Sequence, residues 1–266
     1  MKIHYNIQDI EPYINWLYFY HAWNMNGKPE AEKIKLRGDA EQMLHEWYDV
    51  YHTHAVFEIL DANSDGDDLL LNGIRIPMLR QQKLVADGLP NLCLADFIRP
   101  LSSCIKDKAG VFATTVDAEM QKRYIKDDYK RMMSQVLSDR LAEGTAEKMH
   151  EQVRREYWGY APNEKLSMKQ IHNEEYQGIR PAVGYPSLPD TSLNFIISEI
   201  IDMKGIGIRL TENGMMIPHA SVSGFMFAHP QSKYFDLGKI GNDQIVDYAK
   251  RRGLPIELVK KFLKVV

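Results

Sequence analysis

Residues 55–76 read AVFEILDANSDGDDLLLNGIRI, and their reading decides the fold class. Ala55–Leu60 is an apolar run broken only by Glu58, which predicts a strand. Asn63–Gly66 supplies a turn, Leu69–Leu71 a second strand, and Asn72-Gly73 a second turn. Asn-Gly between apolar runs is a strong hairpin signal, because both residues tolerate positive φ. A chain that doubles back twice over so short a distance pairs its strands antiparallel.

Working outward, NLCLADFI (91–98) and GVFATTV (110–116) are further strand candidates. The segment before the hairpins, to about Met43–Tyr51, reads as helical with aromatic anchors; Trp16, Tyr18, Phe19, Tyr20 and Trp23 fit the core and rim of a helix. From Lys126 to Trp158 the pattern is helical again, with Tyr129, Met132, Val136, Ala146, Val153 and Tyr157 at helical spacing. IGIRLTENGMMIP (206–218) holds another Asn-Gly turn, and ASVSGFMFA (220–228) reads as a strand of small residues. Asp243–Arg252 is a helix with Arg251 and Arg252 in its last turn and Gly253 as its cap. Pro255 opens a last helix. Helices and strands do not alternate as βαβ units, so the expected class is α+β with antiparallel pairing.

Composition narrows the function classes. The 266 residues are 44% hydrophobic, enough for a sizeable core. With 33 basic and 36 acidic residues the net charge is −3, which argues against a general nucleic-acid binder. Two cysteines, Cys93 and Cys104, lie in no C-x-x-C pair, so a disulfide framework, a structural zinc site and an iron–sulfur cluster are not expected. No apolar leader or run of about 18 apolar residues is present, and a soluble cytoplasmic protein is expected.

Two places carry chemistry. On the long helix, Asp139 and Glu143 fall within the arc of Met132, Val136, Ala146 and Tyr157 at 100° per residue. Carboxylates on an apolar face need a cation or donors. Either an internal ion pair or a cationic ligand satisfies that need. The second place is GIRPAVGYPSLPD (178–190), with three prolines and two glycines in thirteen residues. Arg180 before a proline is biased to an extended backbone, Pro181 fixes φ, and Gly184 lets another group approach the backbone. Tyr185 adds a ring face and a hydroxyl. The strip suits a ligand with a carboxylate and a flat heterocycle; a proline-rich crossover packed on the sheet fits equally.

Other motifs are weaker. There is no G-x-G-x-x-G, Walker loop or H-E-x-x-H. His52 and His54 form an H-x-H without a third ligand in local sequence. Asp65, Asp67 and Asp68 around Gly66 resemble a calcium loop but lack the terminal Glu of an EF-hand, and read as a turn with solvated acids.

At RPAVGYP (180–186) the chain resembles the activation domain of cobalamin-dependent methionine synthase, which binds S-adenosylmethionine (AdoMet). The resemblance runs through YINW (13–16), ANSDGDD (62–68), LRQQ (79–82), CLADF (93–97), DRLAE (139–143), YWGYAPNE (157–164), YQGIRPAVGYPSLPD (176–190), ASVSGFMFAHPQSKYF (220–235) and DQIVDYAKRRG (243–253). It implies a single curved α+β domain over 1–266, with a twisted antiparallel sheet and AdoMet in a shallow groove. By the same resemblance, Arg180 meets the AdoMet carboxylate and the backbone of Ala182–Gly184 holds the adenine and ribose side. Tyr185, Tyr234 and Phe235 close over the ligand, and Glu143 faces its positive end. Asp139 faces the incoming corrinoid module. The implied function is reductive methylation of cob(II)alamin, with AdoMet as methyl donor and a flavodoxin-type protein as electron donor. Cobalamin is carried by the partner, and no nucleic acid, membrane, metal ion or catalytic side chain is expected in this chain.

Departures from the family pattern are local. Asn15 stands where the family usually carries an Asp that contacts the AdoMet amine, which implies weaker binding because a charge-assisted bond is lost. The connection from Val116 to Asp127 is short, and an acid offered there to the corrinoid module has no counterpart. Thr191 replaces a frequent His. The chain lacks a D-x-H-x-x-G cobalamin motif, a cysteine-rich zinc site and a folate barrel, so it is expected to act in trans on a methionine synthase and to make no methionine alone. Two alternatives stand beside this: a reactivator of another corrinoid protein, and a docking module that no longer uses AdoMet.

Overall fold

The computed structural model describes residues 1–83, 88–120 and 122–264. In chain order its elements are β1 (Lys2–Asn6), α1 (Ile7–Ile10), α2 (Trp16–Ala22), α3 (Glu30–Trp47), β2 (His52–Asp65), β3 (Asp68–Leu71), β4 (Ile74–Pro77) and β5 (Asp107–Val116). There follow α4 (Asp128–Gln152), α5 (Met168–His172), α6 (Leu193–Ile200), β6 (Arg209–Leu210), β7 (Met216–Ile217), β8 (Ser221–Met226), α7 (Asn242–Arg252) and α8 (Ile256–Leu263). The main sheet runs β4-β3-β2-β5-β8, every neighbour antiparallel. Fold class α+β is as the hairpin reading predicts.

The long β2 serves two partners on one side. Its first half pairs with β1, His54 opposite His4, and its last residues pair with β3, Asn63 opposite Leu70. Its other side pairs with β5 from Thr53 to Ala62. Strand β1 has no counterpart in the sequence reading; KIHYN alternates too briefly to stand out. The first turn also lies later than expected. β2 continues through Asn63 and Ser64, because Ser64 N–H donates to Arg99 O (3.0 Å) and the Asn63 amide donates to the Arg99 and Ile105 carbonyls. The turn itself falls at Gly66, whose φ is +60°. The second turn is where Asn72-Gly73 places it, with φ of +48° and +86°.

The acids of that first turn are ion-paired rather than merely solvated, and Asp68 is buried. Arg75 bridges Asp65 and Asp68, Arg251 reaches Asp68 (2.6 Å), and Arg80 holds Asp67 and Asp96. NLCLADFI is likewise not a strand. Leu94–Phe97 is a 3₁₀ turn started by Cys93, whose N–H donates to the Asp96 carboxylate (2.8 Å). That local bond competes with a sheet ladder and wins.

Both faces of the sheet are covered. Phe57, Phe112 and Met226 point to a core shared with α3 and α4; Val56, Val111 and Phe225 point to a second core under α6. Two-sided burial explains why Val111, Phe112 and Ala113 are apolar in succession instead of alternating, and why Thr114 and Thr115 are buried beside them. Helix α4 spans this first core and presents Met133, Leu137, Leu141 and Met149 to it, all at most 1% exposed. Each such side chain stabilises by roughly 1.5–3 kcal/mol. The apolar arc is therefore offset from the expected one: Tyr129, Met132 and Tyr157 are exposed, and Asp139 and Glu143 lie on the flank of the buried face rather than in it. No helix among the described residues is long and apolar enough to cross a membrane.

Candidate functional site

The strip 178–190 builds one wall of the site. Gly178 has φ +88°, and a Cβ there would press on Phe227 O at 2.5 Å and on the Tyr160 hydroxyl. From it, the chain runs along β8 as an added edge segment. Ile179 and Phe227 exchange backbone bonds (2.9 and 3.0 Å), Phe225 N–H donates to Pro181 O (3.1 Å), and Val183 N–H donates to Ser223 O (2.8 Å). At the closest point any Cβ on Gly224 would overlap Pro181 O and Ala182 Cα. Pro181 fits because an edge position asks only for its carbonyl. Arg180 N–H, off the ladder, donates to the Tyr234 hydroxyl (2.9 Å). Gly184, φ +92°, then turns the chain, with Tyr185 N–H donating to Ala182 O and Leu188 N–H to Tyr185 O.

Helix α4 builds the facing wall. Between them lies a cleft of ≈ 640 Å³, a size that suits a nucleoside-sized ligand. Asn15, Glu143, Arg180, Ala182, Tyr185, Tyr234 and Phe235 all line it, as the sequence reading groups them. Gly184 shapes the turn without lining the cleft, and Asp139 lies outside the lining. Asp139 lies beside the exposed His219 (Nδ1 at 3.6 Å), and burial raises the Asp139 carboxyl above the usual range. It sits one turn along α4 from Glu143.

The cation expected beside Glu143 is elsewhere. Arg180, 7% exposed, forms its ion pair with Glu147, one turn further along α4. Burial pulls the Arg180 guanidinium down; Glu147, Tyr234 and Tyr176 outweigh it, and the net shift is upward. This internal pair involves a residue the sequence reading did not name; Asp139 and Glu143, for which an internal pair was the alternative, have no Arg or Lys partner among the described residues. Glu143 has no cationic partner among the described residues and instead accepts from the Tyr185 hydroxyl across the cleft mouth. Burial, then Glu143, pushes that phenol up. Asn15 caps α2, its Oδ1 accepting from Leu17 N–H (3.2 Å).

Sequence reasoning also missed Tyr13, Tyr18, His172 and Glu174, which line the cleft from separate segments. His172 Nε2–H donates to Tyr13 O (3.1 Å). Glu174 sits at φ +58°, rare for a side chain that size, and its carboxyl is raised by burial and by Glu147. The YWGYAPNE segment buttresses the inner end: Glu164 pairs with the buried Arg154 (2.6 Å), whose guanidinium lies 4.0 Å over the Tyr176 ring. The short connection between Val116 and Asp127 contains Gln121, which lies outside the described residues. Thr191 Oγ1 donates to Asn213 O (3.1 Å), tying the strip's exit to the β6–β7 hairpin. His54 donates to Asp117 (2.8 Å) and meets His4 at 2.6 Å, a polar chain on the sheet far from the cleft.

Four carboxylates (Glu143, Glu147, Glu174, Asp236) and two guanidiniums (Arg140, Arg180) face the cleft, an excess of two negative charges. Such a cleft favours a cationic ligand that also carries an anionic end for Arg180.

Comparison with known proteins gives this geometry its family. The family model described as "Vitamin B12 dependent methionine synthase, activation domain" matches residues 6–253. The chain belongs to this family. A solved structure, the MetH reactivation domain bound to AdoHcy, is 37% identical, with a TM-score of 0.92 over 99% of this chain and 89% of that one. The activation-domain fold is thus the curled antiparallel sheet with flanking helices described above. The relative's ligand, AdoHcy, is what AdoMet becomes when it gives up its methyl.

Proposed function

We propose that the chain binds AdoMet in the cleft between α4 and the strip 178–190, and presents its methyl to a cobalamin-carrying module. The observation that carries this is the charge arrangement: a buried Arg180 for a carboxylate inside a cleft with surplus negative charge. AdoMet carries a carboxylate, an ammonium and a sulfonium, and matches it group for group. In this reading Arg180 takes the carboxylate, and Asn15 lies at the same end. The backbone at Ala182, shaped by Gly184, borders the adenine and ribose, with Tyr234 and Phe235 alongside. Glu143 and Tyr185 sit at the sulfonium end. Asp139, outside the mouth, faces the partner.

The reaction balances without an acid or base from this chain. The partner supplies cob(II)alamin, a flavodoxin-type donor one electron, and AdoMet the methyl, leaving methylcobalamin and AdoHcy. The carbon–sulfur electron pair stays on sulfur, giving a neutral thioether. What the chain contributes is orientation, holding methyl and cobalt in line. The residues 1–266 act as one domain in this reading.

Calorimetric titration with AdoMet tests it, with Arg180→Ala as control. Binding in the micromolar range that disappears in the control is expected. No heat up to millimolar AdoMet, less than about 4 kcal/mol of binding, overturns the reading in favour of a docking module.

A further inference from the structure

The inner end of the cleft contains polar atoms that the fold leaves unpaired. Glu147 gives one carboxylate oxygen to Arg180; its other oxygen, Oε2, is buried with no hydrogen-bond partner among the described residues. Arg180 Nε and the Tyr176 hydroxyl are buried and unpaired as well. Glu147 and Arg180 belong together, joined by their ion pair and both lining the cleft, whereas Tyr176 does not line it. Buried polar groups are nearly always satisfied, and a cluster of exceptions beside a cleft asks for a ligand that completes it. The missing partners are an ammonium for the carboxylate oxygen and a carboxylate for the guanidinium N–H.

Asn15 is poorly placed to supply the acceptor. Its Oδ1 is engaged by Leu17 N–H at the start of α2, and its amide nitrogen only donates. Glu147 lines the same cleft, carries a full charge, and its side chain is 19% exposed. The terminal torsion of a glutamate is broad, so Oε2 turns toward the cleft at little cost.

We infer that Glu147 is a ligand-binding residue of this chain, holding Arg180 with one oxygen and accepting the ligand's α-ammonium with the other. The inference rests on the AdoMet reading and narrows it. The pair Arg180–Glu147 reads a free α-amino acid end, so the site takes nucleosides that carry both amino and carboxylate groups.

The test compares two neutral-sulfur ligands, so that the ammonium is the only cation in question. Full-chain protein is titrated with AdoHcy and with its deaminated analogue, in which thiobutanoate replaces homocysteine. The wild-type chain is expected to prefer AdoHcy by about tenfold or more, the size of one charge-assisted hydrogen bond. In Glu147→Gln the preference collapses toward one. Equal weakening of both ligands in Glu147→Gln overturns the assignment, because it means that Glu147 only holds Arg180. A preference kept in Glu147→Gln and erased in Asn15→Ala overturns it too. Should Glu147→Gln not fold, Glu147→Ala is titrated in its place and read the same way; no preference between the ligands in the wild-type chain also removes the ammonium contact. In that case AdoMet binding itself stands. A wild-type chain that binds neither AdoMet nor AdoHcy fails at the earlier step.

Discussion

At residue 15 the difference between an amide and a carboxylate is a test of the site. Asn15 caps α2 through Oδ1, and an aspartate would cap equally well. What the amide lacks is charge. Asn15→Asp leaves the cap in place and adds a carboxylate at the amino-acid end of the cleft. AdoMet is therefore expected to bind more tightly by about 0.5–1 kcal/mol, a two- to fivefold change, as for a partly solvated ion pair. Calorimetry on the two proteins decides it, and identical affinities would remove residue 15 from the ligand's surroundings. At the same scale, Arg180 was legible as a lone cation in a rigid strip, and Glu147 was not. Glu147 lies among other acids on a long helix, and spacing alone ranks it no higher than Glu143 or Glu151. Only the approach of Arg180 from 33 residues away selects it.

At the scale of elements, the proline- and glycine-rich strip and β8 act as one piece. Two glycines test this by contrast. Gly224 is extended, but a Cβ on it has nowhere to go, because Pro181 and Ala182 occupy its space. Gly184 has open space and a φ of +92°. Gly184→Ala is expected to cost about 1–2 kcal/mol, the local price of left-handed backbone. Gly224→Ala has to push the strip off β8, costing roughly 1–3 kcal/mol of overpacking or more and abolishing ligand binding with it. Denaturant unfolding and a ligand titration on both variants separate the two; equal, mild effects would mean that the strip does not depend on β8. The glycine in ASVSGFMFA was visible in the sequence, but its reason was not, because the segment it admits lies 43 residues earlier.

For the whole molecule, the clearest reporter is His150, buried on α4 between Arg154 (3.0 Å) and Tyr160. Burial, then Arg154 and Arg180, holds its imidazole well below the ordinary histidine value of about 6.5. Unfolding frees it to take a proton at its ordinary pKa. The unfolded state therefore binds more protons below pH 6.5, and stability falls as pH falls. The expected slope is about 1.4 kcal/mol per pH unit below 6.5, with a plateau above it from this group. Thermal unfolding between pH 5 and 8 measures it, and an unchanged melting temperature across that range contradicts a neutral buried histidine. Neither the His150 cluster nor the offset face of α4 could be read from one helix, since burial there depends on what packs from β5, Tyr160 and Tyr176. The sequence by itself determined the antiparallel α+β class, the two Asn-Gly turns, the long helix and its C-terminal companions, which follow from backbone preferences and periodicity acting over a few residues; the group of residues around Arg180 was legible only through the family resemblance. Tertiary structure alone decided that β1 completes the sheet, that Leu94–Phe97 forms a 3₁₀ turn where a strand was expected, that Arg180 answers Glu147, and that the strip becomes an edge of the sheet. Each of these is a contact between distant segments, made possible by close packing and by the cost of leaving buried polar groups unpaired.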